Sequence, residues 1–152
     1  MHFYELIKKI TEDKKVIIYV DMDGVIASYD FGKPLDFINK RPLTTNIQTL
    51  NKISKLNNVE LHILSVCRLD NQVREKNDWL NKYAPFFEQD KRTIISKESN
   101  PHYSSKELKL NYLKSLEIKE QIIFIDDDNE VLKTIYDGLK NIILYQDSEL
   151  ID

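Results

Sequence analysis

The sequence predicts an α/β fold in which one parallel sheet of about five strands lies between layers of helices. Short apolar segments rich in β-branched residues alternate with longer segments whose apolar residues recur every three or four positions, a pattern typical of such folds. Acidic residues directly follow two of the apolar segments, as they do where parallel strands end at a functional crevice. The chain has 152 residues, so we expect a single domain over residues 1–152.

An amphipathic helix over residues 2–11 is predicted first, and a strand over residues 16–20 follows it. Its five consecutive apolar or aromatic residues indicate a strand buried on both faces. Residues 28–45 contain a glycine and two prolines and are too irregular for a long helix. We expect them to form a short lid or loop, with one turn within residues 34–40, because so few residues cannot build a separate cap domain.

Helices and strands alternate along the rest of the chain, which predicts right-handed crossovers between parallel strands. Thr44 or Thr45 can cap the second helix, Ser104 or Ser105 can cap the fourth, and Gly138 is expected to end the fifth. Residues 146–152 are expected to be a frayed or loosely docked tail. The remaining strands are predicted at residues 59–64, 93–95, 121–125 and 141–145, and apolar stripes of helices at residues 47–56, 73–83, 108–116 and 131–136.

Charge and cysteine content restrict the partners. The net charge of −3 argues against a broad basic surface for nucleic acid, although a local basic groove is compatible with it. No segment approaches the roughly 18 apolar residues of a membrane span, so no membrane partner is expected. Cys67 is the only cysteine, so no intrachain disulfide can form and a cytoplasmic location is expected.

Polar residues follow three of the predicted strands. Asp21 and Asp23 follow the first strand, Ser65 the second, and Asp126 and Asp127 the fourth. We expect them to meet at one edge of the sheet, because parallel strands end there together. Carboxylates that converge without paired arginines repel one another, so the cluster predicts a bound cation, and oxygen ligands favour Mg²⁺.

Four motifs of this chain resemble, in kind and in order, those of the haloacid dehalogenase-like superfamily of phosphotransferases. They are the segment from Asp21 to Val25, then Ser65, then a lysine on a helix, and then the pair Asp126-Asp127. The resemblance spans residues 16–145 and implies a three-layer Rossmann-like fold with a minimal cap or none. It also implies a phosphatase, that is, a phosphoric monoester hydrolase.

Within that superfamily, Trp79-Leu80 with the nearby Lys82 and Pro85 is similar to the 5'(3')-deoxyribonucleotidase branch. This narrower resemblance implies that the phosphate ester is a deoxynucleotide.

The resemblance assigns chemical roles to the motif residues. Asp21 would attack phosphorus and form an aspartyl-phosphate, while Asp23 would protonate the leaving oxygen and then activate water. Ser65 would hold a phosphoryl oxygen. Lys109 fits the spacing of the lysine that stabilises the transferring group, with Lys106, nearer the helix start, as the alternative.

The resemblance also implies the ligands of the ion and contacts to substrate. The side chains of Asp21 and Asp126 and the main-chain oxygen of Asp23 would bind Mg²⁺, and Asp127 would bind it directly or through a water. Asp128 would cap the following helix. Contacts to substrate are expected from Gly24, Val66 and Arg68, with Tyr29, Phe31, Lys33 and Arg41 as further candidates that are equally compatible with solvated loop positions.

Three functions compete. The first is a Mg²⁺-dependent phosphomonoesterase acting on a small-molecule phosphate ester such as a deoxynucleotide. The second keeps this chemistry but acts on a polynucleotide end, a phosphoprotein or a sugar phosphate. The third is a receiver-like phosphoacceptor signalling domain, although in receivers the acidic pair precedes the lysine, whereas here Asp126-Asp127 follows it. The sequence leaves the oligomeric state open.

Overall fold

The computed structural model describes residues 2–29 and 37–151, and their elements alternate as the sequence predicts. No helix among these residues has both the length and the apolarity needed to cross a bilayer. The helices are α1 Phe3–Ile10, α2 Thr44–Ser54, α3 Asn71–Tyr83, α4 Ser105–Ser115 and α5 Asn129–Gly138, and the strands are β1 Val16–Val20, β2 Val59–Cys67, β3 Arg92–Ser96, β4 Gln121–Asp126 and β5 Ile142–Gln146.

The five strands form one parallel sheet in the order β3-β2-β1-β4-β5. β1 lies at its centre, with Val20 opposite Ile63 of β2 on one side and Ile125 of β4 on the other. After β3 the chain returns to place β4 on the free side of β1. The carboxyl ends of β1 and β4 therefore flank the point where the strand order reverses, the usual place for a site in an open α/β sheet.

Side chains of β1 alternate between the two faces of the sheet, and a hydrophobic core lies on each face. Val16, Ile18 and Val20 pack in one core with apolar residues of α1, α2 and α3, whereas Ile17 and Tyr19 pack in the other with residues of α4 and α5. All five β1 residues are buried. The prediction of a three-layer Rossmann-like fold is confirmed.

β2 is longer than predicted. It continues to Cys67, so Ser65 lies inside the strand rather than after its end. The reason is the neighbouring strand, since Val66 and Cys67 pair with Ile95 and Ser96 of β3. β2 thus extends four residues past Ile63, the last of its residues that pairs with β1. Ser65 still lies at the edge of the sheet where Asp21 begins the loop.

The predicted frayed tail is wrong for residues 146–151. Gln146 ends β5, and a short 3-10 helix follows at Asp147–Leu150. Gln146 and Glu149 cap this turn reciprocally, and Leu150, only 2% exposed, joins the core beside α1 and α2. The hydrophobic effect of burying one leucine side chain therefore anchors the end of the chain.

The loop predicted at residues 28–45 is described only in part. A 3-10 turn at Phe37–Asn39 follows the undescribed residues 30–36, which include Phe31 and Lys33. The ends of the loop are joined, because Ser28 N donates to the Arg41 carbonyl oxygen at 2.9 Å. α2 begins at Thr44, so the last two residues of the predicted loop are helical.

Candidate active site

The site is built on the carboxyl ends of the two central strands. Asp21 follows β1 directly, and its main-chain N–H donates to the Ile125 carbonyl of β4 at 3.0 Å. Asp126 is the last residue of β4 and is fully buried. The strand pairing therefore brings together two carboxylates that are far apart in sequence.

Lys109 lies between these two carboxylates. Its Nζ is 3.1 Å from Asp21 Oδ1 and 2.7 Å from Asp126 Oδ2. It comes from the second turn of α4, a helix whose start is fixed by a capping box between Ser104 and Glu107. Lys109 is buried, and although burial lowers its pKa, the charges of Asp21 and Asp126 outweigh this and raise it. Lys109 therefore stays charged.

Asp127 completes a cluster of three carboxylates. One oxygen each of Asp21, Asp126 and Asp127 lie within 4.8 Å of one another. Gly24 makes room for Asp127, because a Cβ on Gly24 would lie 2.5 Å from Asp127 Cγ and 2.7 Å from Tyr29 Cε2. The φ of Gly24 is 81°, which also favours glycine. The turn after β1 thus needs glycine at this position.

The carboxylates repel one another, and their proton affinities reflect it. Burial is the main cause and the charge of Asp126 the second of a rise in the pKa of Asp21 to about 7. Burial with the charge of Asp21 raises the pKa of Asp127 to about 6. Burial also raises the pKa of Asp126, against the attraction of Lys109. One lysine does not balance three carboxylates, of which Asp21 and Asp126 are buried and Asp127 is half-buried.

This donor set fits a divalent cation. Among the described residues, Asp127 Oδ1 is buried without a hydrogen-bond partner. A hard cation ligated by oxygen would satisfy that atom and relieve the repulsion between the three carboxylates, and Mg²⁺ prefers such ligands. The Met22 carbonyl already accepts N–H bonds from Val25, Ile26 and Ala27 at 3.0–3.1 Å, so it is not available as a ligand.

Asp23 lies in a different electrostatic environment. Lys40 Nζ is 2.7 Å from its Oδ1 and Lys76 Nζ is 3.0 Å from its Oδ2. Although burial raises the pKa of Asp23, the two lysines outweigh it and hold the pKa below its ordinary value. Asp21 and Asp23 are two residues apart, yet their environments shift their proton affinities in opposite directions.

Ser65 belongs to the Asp23 side of the site. It is fully buried, and its Oγ accepts a hydrogen bond from Lys76 Nζ at 2.6 Å. Lys76 also donates to the Val66 carbonyl at 3.1 Å. The hydroxyl hydrogen of Ser65 remains available to another acceptor.

A cavity of about 140 Å³ opens above these groups. Asp21 and Lys109 line it, as do Val66 and Tyr29, whereas Lys106 and Arg68 are exposed and do not contribute to its described walls. Of the two candidate lysines, the structure thus brings Lys109 to the carboxylates and leaves Lys106 in solvent. Arg68 lies in the loop after β2, and Arg41 is also exposed.

Asp128 takes the structural position predicted for it. Its side chain accepts a hydrogen bond from the Glu130 N–H at 2.9 Å and caps α5. Its own N–H donates to Asp126 Oδ1 at 3.0 Å, which fixes the orientation of that carboxylate.

Lys40 and Lys76 were missed in the sequence analysis. Lys76 carried a signal, because it lies three residues after Val73 and three before Trp79 and so shares the apolar face of α3. A lysine on such a face needs a buried anionic or polar partner. Lys40 lies in an irregular segment, where no periodicity marks it.

Comparison with known proteins extends the fold assignment only. No family model matches the chain, and no curated protein matches it. Among solved structures, it is similar to a chain from the structure of a Pnkp1/Rnl/Hen1 complex, with a TM-score of 0.67 and 16% sequence identity over 88% of this chain. The match covers 46% of that chain, so this protein spans less than half the length of its structural neighbour. The likeness shows that the two chains share a fold.

Proposed function

We propose that the protein is a Mg²⁺-dependent phosphomonoester hydrolase of the haloacid dehalogenase-like type. The observation that supports this most is the Lys109 contact with both Asp21 and Asp126 at the floor of a small cavity. In this contact, the cation that would stabilise the phosphoryl group, Lys109, touches both the proposed nucleophile, Asp21, and a proposed metal ligand, Asp126.

The residues present fit the metal, and Asp21, Asp126 and Asp127 would hold it with the main-chain oxygen of Asp23. Bound Mg²⁺ would offset the negative charges of the nucleophile and of the phosphoryl oxygens and so weaken the repulsion between them. Lys109 contributes a second, fixed positive charge at Asp21. Two sources of positive charge let a carboxylate approach an anionic phosphate.

The proposed reaction has two displacements. An oxygen of Asp21 attacks phosphorus, the bond from phosphorus to the leaving oxygen breaks, and protonated Asp23 delivers a proton to that oxygen. Water then attacks the aspartyl-phosphate, Asp23 accepts its proton, and the bond to Asp21 breaks to release inorganic phosphate. Lys40 and Lys76 favour the ionised form of Asp23. That form accepts the proton of water in the second displacement, whereas the first displacement is carried out by the fraction of the enzyme in which Asp23 is protonated.

A small-molecule ester, with deoxynucleotides first among the candidates, is the proposed substrate class. The cavity of about 140 Å³ suits a phosphoryl group, so the rest of the ester would lie outside it. The ring of Tyr29, 53% exposed, lies at the wall of the cavity, where we expect an aromatic leaving group to pack against it. The single cysteine supports a cytoplasmic location.

The receiver-like alternative finds less support. Flavodoxin-like folds, which include receivers, have the strand order β2-β1-β3-β4-β5. The sheet described above has β3-β2-β1-β4-β5. The two classes also differ in outcome, because a receiver keeps its phosphoryl group instead of turning over.

Hydrolysis of p-nitrophenyl phosphate tests the proposal. We expect Mg²⁺-dependent turnover, loss of activity in chelator, and loss of about 1,000-fold or more in Asp21→Asn, because a carboxamide is a poor nucleophile. Asp137→Asn, an exposed carboxylate on α5, serves as the matched control. Robust turnover by Asp21→Asn would refute the nucleophile assignment, and a stable phosphoprotein formed from acetyl phosphate without turnover would favour the receiver. A screen of deoxynucleoside 5'- and 3'-monophosphates, sugar phosphates, phosphopeptides and phosphorylated oligonucleotides then identifies the substrate.

A further inference from the structure

Two buried lysines hold the Asp23 carboxylate from opposite oxygens. Lys76 contacts Oδ2 from α3, and Lys40 contacts Oδ1 from the end of the loop that follows β1. Their side chains are 2% and 5% exposed. In the phosphoryl-transfer scheme above, both act only through the ionised form of Asp23 that they favour, whereas Lys109 supplies the fixed charge at Asp21.

Lys76 is fully committed to fixed acceptors. Its ammonium group has three hydrogens, and it donates to Asp23 Oδ2, to Ser65 Oγ and to the Val66 carbonyl at 3.0, 2.6 and 3.1 Å. The ring of Phe37 lies 5.0 Å from its Nζ. Because all three hydrogens are used and two of the acceptors belong to β2, the ammonium group cannot shift without losing a hydrogen bond. Lys76 therefore holds the Asp23 carboxylate at one position relative to β2.

Lys40 is fixed by the same helix. The indole Nε1 of Trp79, three residues after Lys76 on α3, donates to the Lys40 carbonyl at 2.9 Å. Lys40 N also donates to the Phe37 carbonyl at 3.0 Å. One face of α3 thus carries the Lys76 ammonium group and holds the main chain of Lys40.

We propose that Lys76, together with Lys40, is a positioning residue that orients the Asp23 carboxylate toward the leaving oxygen of the substrate. The inference rests on the proposed function, because it requires that Asp23 transfers a proton to the leaving oxygen. Because proton transfer requires a defined geometry, a displacement of about 1 Å can cost about 100-fold in rate.

The alternative is that Lys76 acts through Ser65, which is proposed to hold a phosphoryl oxygen. The two routes differ in their dependence on the leaving group. Loss of oriented Asp23 slows esters whose leaving oxygen needs a proton and largely spares those with an acidic leaving group. Loss of a phosphate contact slows both kinds of ester equally, because every substrate carries the same phosphoryl group.

Phenyl phosphate and p-nitrophenyl phosphate are a suitable pair of substrates, because they differ only in a nitro group that makes the leaving phenol more acidic. We expect Lys76→Met to reduce kcat/KM for phenyl phosphate by about 100-fold and for p-nitrophenyl phosphate by about 10-fold or less. Asp23→Asn should show the same pattern, and combining it with Lys76→Met should add little. Lys82→Met, an exposed position on α3, is the matched control and should resemble wild type.

Lys76→Arg and Lys40→Met protect the test against a folding defect in Lys76→Met. Lys76→Arg keeps the charge and should recover part of the lost kcat/KM for phenyl phosphate. Lys40→Met removes the other contact to Asp23 and should show the same dependence on the leaving group. Far-UV circular dichroism and thermal unfolding report whether each variant is folded.

Equal losses on the two esters would overturn the inference and assign Lys76 to phosphate binding through Ser65. Kinetics of Lys76→Met and Lys40→Met that match those of Lys82→Met would overturn it as well, while the phosphatase assignment would stand. Absence of any phosphatase activity in the wild type is a separate result, which removes the proposed function and the inference with it.

Discussion

Gly24→Ala tests whether the turn after β1 holds the metal ligands in place. The added methyl group would lie 2.5 Å from Asp127 Cγ and 2.7 Å from Tyr29 Cε2, so both side chains must move. The φ of 81° also disfavours an L-residue by about 1–2 kcal/mol. For a domain of this size, that corresponds to a fall in Tm of about 2–8 °C.

The larger effect is expected on the cation. Because displacement of Asp127 breaks up the three-carboxylate cluster, we expect the Mg²⁺ concentration for half-maximal phosphatase activity to rise about 10-fold or more. Mg²⁺ should also raise the Tm of this variant less than that of wild type, because it binds the folded state more weakly.

Gly138→Ala is the matched control. Its methyl group would approach Leu110 Cδ2 at 2.8 Å, but that atom is the end of a flexible side chain that does not line the cavity. Gly138 also ends a helix and has no positive φ. We expect its Mg²⁺ dependence to equal that of wild type. The reasoning is refuted if Gly24→Ala binds Mg²⁺ as tightly as Gly138→Ala.

Two further predictions concern stability. With Mg²⁺ removed by chelator, the pKa of Asp21 is about 7 in the folded state and near 4 in an unfolded chain. The contribution of Asp21 to the free energy of unfolding is therefore fully present below about pH 4 and is lost as the pH rises through 7. Asp21→Asn should therefore raise the Tm at pH 8 by several degrees and have little effect at pH 4, and an equal effect at both values would contradict the raised pKa. In the tail, Leu150→Ala should cost about 2–3 kcal/mol in chemical denaturation because Leu150 is 2% exposed. Ile151→Ala, at 56% exposed, should change stability by less than about 0.5 kcal/mol, and equal effects of the two substitutions would indicate that the tail is undocked.

The sequence predicts the sheet and the carboxylates well for a local reason. β1 is an uninterrupted apolar segment that runs straight into Asp21, and β4 repeats this arrangement before Asp126. A strand buried on both faces and the polar residue at its end are both encoded within about ten consecutive residues. Topology then brings the two ends together without further information.

Features that depend on contacts between distant segments were not predictable in the same way. The end of β2 depends on pairing of Val66 and Cys67 with β3, so the sequence alone places Ser65 after a strand that in fact continues. The docking of Leu150 depends on a core formed by α1 and α2. Spacing alone left Lys109 and Lys106 open, and only the packing of α4 against the sheet distinguishes the buried lysine from the exposed one.

The lysine pair around Asp23 also limits how this chain can evolve. Loss of Asp23 alone would leave Lys40 and Lys76 buried without their shared counter-charge, at a cost of about 3–5 kcal/mol for a broken buried ion pair. A single substitution there would remove proton transfer and threaten the fold at the same time. Inactive descendants that keep this fold should therefore have replaced both lysines with neutral residues along with Asp23, so that the three positions change together or not at all.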